Sequence, residues 1–478
     1  MVPSGPGSWQ VFDNTCPINP VHAALLRTGQ VFFYAGSGNK APPNNPPGPS
    51  VILTLSTGTF SSQAPPVVAG ASVDLFCAGQ SFRSGGSLMV AGGTLQYDPF
   101  YGLNTAFLFD PGTRQWTQVS SMNTGRWYPT LVTLGNGRIL ALSGKDSQGN
   151  LSKQVEIYSG STGWLAFPPT TSAFPTYSHL FLLSSGKLFY SGASAFGSAT
   201  PSPRILTLPS RFSSPITEKA VPGLVDASFP NQAASVLLPP AQDQKVMIIG
   251  GGSSTTHAAT GRVNIVNLSV STPAYTAAPS LNYARMHLSA VLLPDRTVFV
   301  CNGSTTEENE STSKLPAEIY DPYATTPSWS VVATPSISGR VYHAVAVLLP
   351  DGSVIAGGGN PARGVYENRL EIYRPAYMSQ SRPMIQSAPS SMVAGGQITI
   401  QTPQASKIQW VHLIRPMATT HSWDSEQRLV DLPISSRSST SLTVTVSSNR
   451  NLAPVGWYML FIIDTNRVPS VAKWIRLK

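Results

Sequence analysis

From His22 onward the chain repeats one pattern: a polar or aromatic start, an apolar run, a turn usually carrying Gly, a second apolar run and a closing Gly. It occurs seven times, as His22–Gly36, Cys77–Gly93, Tyr128–Gly144, Tyr177–Gly192, Gln232–Gly252, His287–Gly303 and Tyr342–Gly358. Each unit reads as a hairpin of two buried strands, because both apolar runs are continuous instead of alternating. Outer strands follow several hairpins, at Ala106–Asp110, Val155–Tyr158, Ala317–Asp321 and Leu370–Tyr373. Four strands recurring roughly every 50 residues are the signature of Kelch-type blades, and seven of them close into one propeller.

The repeat stops near Tyr377. After the linker Ser379–Pro383, new strand patterns appear at Gln397–Gln401, Lys407–Ile414, Ser441–Val446 and Trp457–Ile463, at sandwich spacing. The expected fold is therefore all-β: a seven-bladed Kelch-type β-propeller over residues 1–379, followed by an immunoglobulin-like β-sandwich over 380–478. Composition agrees, since 42 Pro and 40 Gly among only 11% charged residues favour strands and turns over helices.

The net charge of +9 is spread singly along the chain, without the concentrated Lys/Arg face of a nucleic-acid binder. No run of about 18 apolar residues is present to span a membrane. Cys16, Cys77 and Cys301 show no metal-knuckle spacing; Cys16 and Cys301 either pair or stay as buried thiols. The opening Met1-Val2-Pro3-Ser4-Gly5-Pro6 lacks the charged and apolar regions of a signal peptide and reads as a mature secreted chain with an added start Met. The sequons at Asn150, Asn267, Asn302 and Asn309 fit an extracellular location weakly.

A propeller brings equivalent positions of its inner strands together at the axis. Counting back nine residues from the turn Gly of each hairpin gives Cys77, Tyr128, Tyr177 and His343, with Tyr342 one place earlier. Taken singly, each aromatic fits simple filling of the channel. Together, imidazole and phenol donors suit copper(II), which prefers tetragonal nitrogen and oxygen ligands.

The same residues carry a family resemblance that spans nearly the whole chain. Leu75-Phe-Cys-Ala-Gly79, Gly125-Arg-Trp-Tyr-Pro-Thr130, Gly339-Arg-Val-Tyr-His-Ala344 and Met417-Ala-Thr-Thr-His-Ser422 with Gln427-Arg428 resemble, in order, the motifs of the galactose oxidase and glyoxal oxidase family. The resemblance implies one copper ion held by Tyr128, Tyr342, His343 and His421. It also implies a thioether between Cys77 and Tyr128, making a protein-derived radical cofactor. Trp127 and His257, the latter in the loop Gly251–His257, are candidates for the surroundings of the site. His22, His179, His287 and His412 are assigned to packing, because two imidazoles suffice. In one departure from galactose oxidase, Leu142–Ser147 offers no aromatic where that enzyme carries a tryptophan stacked on the cross-linked tyrosine, which points toward the glyoxal oxidases.

The implied activity is oxidation of glyoxal-type aldehydes, as their hydrates, to carboxylic acids with reduction of dioxygen to hydrogen peroxide. The alternatives are a primary-alcohol or carbohydrate oxidase with the same site, and a non-catalytic Kelch binding protein. The chain is read as a monomer whose partners are a small substrate and O2, with a peroxide-using enzyme downstream and no nucleic acid.

Overall fold

Continuous apolar runs form strands covered on both faces, and this chain builds its inner hairpins from them: Ala344–Leu348 and Val354–Gly358 are buried at every position. A computed structural model describes residues 5–38, 47–196, 201–224, 232–252 and 258–478. Among these residues the helices are four short 3-10 turns, at Ala241–Asp243, Glu310–Thr312, Ala376–Ser379 and Ala405–Lys407.

Seven antiparallel sheets follow one another along the chain. The second, for example, runs Gly79–Phe82, Leu88–Ala91, Ala106–Asp110 and Gln115–Val119 from inner to outer edge. The seventh takes its outermost strand from the other end of the chain, with Ser8–Val11 pairing against Glu371–Arg374. That splice closes the ring, so no blade is left as an open sheet between the two ends. The outer segments expected at Ala106, Val155, Ala317 and Leu370 form the third strands of their blades.

The closing Gly of the pattern has a steric reason. Gly303 has φ +93° and a Cβ there would lie 2.6 Å from the Met286 carbonyl oxygen; Gly358, at φ +75°, would meet the His343 oxygen at 2.7 Å. Only glycine lets the end of one strand pass that close to the entry of its partner.

Buried ion pairs brace three blades. Arg126–Glu156 (2.9 Å), Arg285–Glu318 (3.0 Å) and Arg340–Glu371 (3.2 Å) each join the segment entering the inner strand to the Glu of the third strand. The Arg of Gly-Arg-Trp-Tyr and Gly-Arg-Val-Tyr-His thus meets the Glu of Glu-Ile-Tyr, a pairing invisible without the fold.

Two further sheets lie C-terminal to the ring. In the three-stranded one, Gln397–Gln401 and Ser441–Thr445 alternate between buried and more exposed positions. Their buried Ile398, Ile400, Leu442 and Val444 pack with Val411, Leu413, Leu460 and Ile462 of the five-stranded sheet. From this sandwich the hairpin Ala418–Thr420 and Trp423–Asp424 leaves to pair with the innermost strand of the first blade, Thr420 opposite His22. Three residues of the run that follows grip four blades of the propeller. Glu426 accepts from Phe82 N (2.9 Å) and Thr133 Oγ1 (3.0 Å), Gln427 Nε2 donates to the Ala290 carbonyl (2.9 Å), and Arg428 Nη2 donates to the Leu182 carbonyl (2.6 Å).

The three cysteines are buried free thiols, so Cys16 and Cys301 are unpaired. Burial pushes both of those thiols up to about 12. Among the described residues no helix is long and apolar enough to cross a membrane.

Candidate copper centre

At the entry to the inner strand of six blades stands a non-glycine residue in the left-handed backbone region: Cys77 (φ 62°), Tyr128 (64°), Tyr177 (44°), Gln232 (57°), His287 (58°) and His343 (68°). That conformation costs about 1 kcal/mol or more at each residue. Neighbouring blades are linked there by backbone hydrogen bonds, Tyr128 N to Cys77 O at 2.9 Å, Tyr177 N to Tyr128 O at 2.8 Å and His287 N to Gln232 O at 2.9 Å. The first blade adds no such residue. Its place is taken by His421 (φ 49°), delivered by the hairpin from the sandwich.

The result is a closed cluster of buried donors. Cys77, His343 and His421 place their ligand atoms within 4.8 Å of one another. The Tyr128 and Tyr342 hydroxyls are hydrogen-bonded to each other, and His421 Nε2 lies 3.0 Å from the Tyr128 hydroxyl and 3.9 Å from Cys77 Sγ. Cys77 and Tyr128 are packed in the same buried cluster. All five residues expected for the site therefore meet, although they span positions 77 to 421 of the chain.

Each imidazole is held with one nitrogen free for a metal. Thr420 Oγ1 gives its only proton to the Val21 carbonyl (2.9 Å), so it can only accept from His421 Nδ1 (2.6 Å). His421 Nε2 is then the bare nitrogen, facing the phenols. His343 Nδ1 lies 3.0 Å from Asn360 Oδ1, which also accepts from Asn19 Nδ2 (3.1 Å). This leaves His343 Nε2 buried and without a partner. An orphaned imidazole nitrogen beside a second aimed imidazole and two phenols fits copper(II) in donor type.

Burial controls the protonation of the cluster. It pushes His343 down to about 3 and His421 well below its ordinary value, so both stay neutral and able to ligate. It raises Tyr128 and Tyr342 well above 10, with neighbouring Cys77 adding to both and Glu307 and Glu308 adding to Tyr342. Without a cation in the site, both phenols hold their protons.

Several neighbours are committed elsewhere. Tyr177 donates to the Ala78 carbonyl at 2.8 Å. His22 Nε2 accepts from Cys77 N at 3.2 Å while its ring stacks on Tyr34 at 4.2 Å. His179 Nδ1 is bonded to Ser235 Oγ (2.7 Å), and His412 Nδ1 lies 2.7 Å from Asp431. These three match the packing roles read from the sequence. His257 lies outside the described residues.

His287, assigned to packing, stands beside the cluster: its ring centroid is 4.9 Å from that of Tyr342. The sequence held the signal. Arg296, at φ 70°, occupies the turn place that Gly holds in other blades, and nine residues back from it is His287. Asn360 and Thr420, which orient the two imidazoles, had no pattern of their own and were missed.

The wall around the cluster is aromatic. Trp127 lies 3.9 Å from Tyr128 between ring centroids, tilted by 56°, and stacks on Phe100 at 4.4 Å. It covers Tyr128 from its own strand entry. Phe196 closes a further side, 5.9 Å from Tyr128 and 5.7 Å from Tyr342.

Residues 60–377 match the family described as glyoxal oxidase N-terminus, and residues 382–477 match the galactose oxidase-like early set domain. A galactose oxidase of Gibberella zeae is 28% identical over 494 residues, covering 96% of this chain and 69% of that protein. The aldehyde oxidase GLOX of Vitis pseudoreticulata is 25% identical over 542 residues, covering 99% and 97% of the two chains. The same fold is found in a solved fungal alcohol oxidase of the AA5 family in complex with copper, with a TM-score of 0.84 and 24% identity over 99% of this chain and 100% of that one. The chain belongs to the glyoxal oxidase and galactose oxidase family of copper-radical oxidases.

Proposed function

We propose that the protein oxidises small aldehydes, as their hydrates, to carboxylic acids while reducing O2 to hydrogen peroxide. The observation that carries this reading is the convergence of Tyr128, Tyr342, His343 and His421 around one point, with Cys77 against Tyr128. Residues 1–379 would supply most of the site and residues 380–478 would supply His421. Copper, when bound, supplies a one-electron acceptor that together with an oxidised Tyr128 makes a two-electron unit.

The chain's own groups then have distinct tasks. His343 and His421 hold the metal through Nε2, their Nδ1 protons committed to Asn360 and Thr420. A thioether from Cys77 Sγ to the Tyr128 ring would spread the unpaired electron and make that phenol easier to oxidise. Tyr342, the second phenol, would take the substrate's hydroxyl proton at its oxygen from the phenolate form, which a bound cation favours, its own proton having gone to solvent. Oxidised Tyr128 accepts the hydrogen atom from the substrate carbon. Trp127, Phe100 and Phe196 cover Tyr128 and keep the radical from solvent. Likeness over nearly the whole chain to a galactose oxidase supports a second reading, a primary-alcohol or carbohydrate oxidase using the same residues. We read the protein as a secreted monomer whose peroxide feeds a peroxide-using enzyme.

Peptide mapping after copper and oxygen treatment tests the proposal. A Cys77–Tyr128 cross-linked peptide, lighter by two hydrogens than its parts, is expected. Its absence would leave a Kelch-type binding protein as the better reading.

A further inference from the structure

Once the two copper imidazoles and two phenols are assigned, a polar atom beside Tyr342 remains without a use. His287 Nε2 is buried and has no hydrogen-bond partner, and the residue is only 5% exposed. Its ring stands 4.9 Å from Tyr342, and it lies close enough to His343 and His421 to interact electrostatically with both. Tyr177 is bonded to Ala78, His22 Nε2 to the Cys77 amide and Thr420 to Val21 and His421, while the unpaired His22 Nδ1 and Trp127 Nε1 belong to rings beside His421 and Tyr128. In the adjoining blade Gln232 occupies the same register, and its Oε1 is also buried without a partner. A packing role would leave an orphaned nitrogen and a left-handed backbone at His287 with nothing gained from either.

We infer that His287 binds the second hydroxyl of an aldehyde hydrate and thereby selects hydrated aldehydes over primary alcohols; this rests on the oxidase reading above. A primary alcohol brings one hydroxyl on the reacting carbon. A hydrate brings two on the same carbon, and when one is at the metal the other must lie beside it. Among the other rings packed on the phenols and on His343, Phe76, Trp127 and Phe196 offer that hydroxyl no acceptor. His287 Nε2 is a hydrogen-bonding atom next to Tyr342, the phenol that handles the first hydroxyl's proton. A site built to bond a hydroxyl discriminates strongly, because the ligand lacking it leaves a buried polar atom unpaired.

The test compares glycolaldehyde with ethylene glycol on the copper-loaded protein. They share a two-carbon skeleton and the distal hydroxyl, and the hydrate adds only the second hydroxyl on the reacting carbon. In His287→Phe, kcat/KM for glycolaldehyde is expected to fall about tenfold or more, and that for ethylene glycol to stay within about threefold. His287→Gln, which can still accept and donate, should recover part of the loss. A second readout avoids turnover: with the radical reduced, titration followed by the electron paramagnetic resonance of the cupric ion should show weaker glycolaldehyde binding in His287→Phe and unchanged ethylene glycol binding. Equal losses for both ligands, or no loss for glycolaldehyde, overturn the inference. Copper uptake and the Cys77–Tyr128 cross-link are read first on the wild-type protein. Their absence there sinks the oxidase reading, a failure distinct from parallel behaviour of the variants.

Discussion

The hydroxyl of Thr420 orients His421, one of the two imidazoles of the candidate copper centre. It donates to the Val21 carbonyl at 2.9 Å and accepts from His421 Nδ1 at 2.6 Å, which keeps the proton off His421 Nε2. Thr420→Val keeps the shape and the strand pairing to His22 but removes both bonds. The imidazole then loses its tautomer selection, and a proton on Nε2 competes with the metal. Losing such a partner typically weakens metal affinity by about 10–100-fold, or about 1.4–2.8 kcal/mol. Copper affinity, measured by competition with a chelator at fixed pH, should fall in that range in Thr420→Val and stay near wild type in Thr420→Ser, which keeps the hydroxyl. Folding stability, measured by denaturant titration of the metal-free protein, should also fall by about 1–3 kcal/mol, since the Val21 carbonyl and the His421 N–H lose their partner. Copper affinity of Thr420→Val within threefold of wild type would refute the orientation argument. A loss in Thr420→Ser as large as in Thr420→Val would instead point to the lost methyl group.

Two further predictions concern the frame of the site. Arg126, two residues before Tyr128, is fully buried against Glu156, which also accepts from Asn123 N at 2.6 Å. Arg126→Met leaves that carboxylate as an uncompensated buried charge and should cost about 3–5 kcal/mol by urea titration, with Glu156→Gln costing less; a shift below about 1 kcal/mol would exclude the clamp as a stabilising element. Burial raises Asp424, in the hairpin that carries His421, from 3.8 to about 7 although it accepts from Glu426 N at 2.8 Å. The folded state therefore holds a proton that the unfolded state releases. The stabilisation this provides is full below about pH 4 and is lost as pH rises through about 7, by no more than about 4 kcal/mol. Asp424→Asn should be more stable than wild type at pH 8 and similar to it at pH 4; parallel stability curves for the two proteins would reject the assignment.

Much of the architecture is legible along the chain because each blade is a local unit. The hairpin pattern of Tyr128–Gly144 or Tyr342–Gly358 is set within the hairpin itself: continuous apolar runs demand burial on both faces, the turn glycines take a positive φ, and the closing glycines answer clashes with the backbone where the same hairpin begins. Counting within that pattern places Cys77, Tyr128 and His343 at one level of the axis, since equivalent positions of a closed repeat must converge. His421 was found only through its motif. No periodicity carries it there; a hairpin from the other domain pairs with the first blade and fills the place that blade leaves open.

What tertiary structure alone decided are the meetings between residues with no common period. Asn360 and Thr420 select the metal-facing nitrogens, Arg126 finds Glu156, and Glu426, Gln427 and Arg428 grip separate blades. His287 belongs to both classes. Its register was visible in the sequence, but the unpaired nitrogen beside Tyr342 was not. Hydrophobic patterning specifies which face of a segment is buried, whereas the partner of a buried polar atom depends on directions and distances that exist only once the ring has closed.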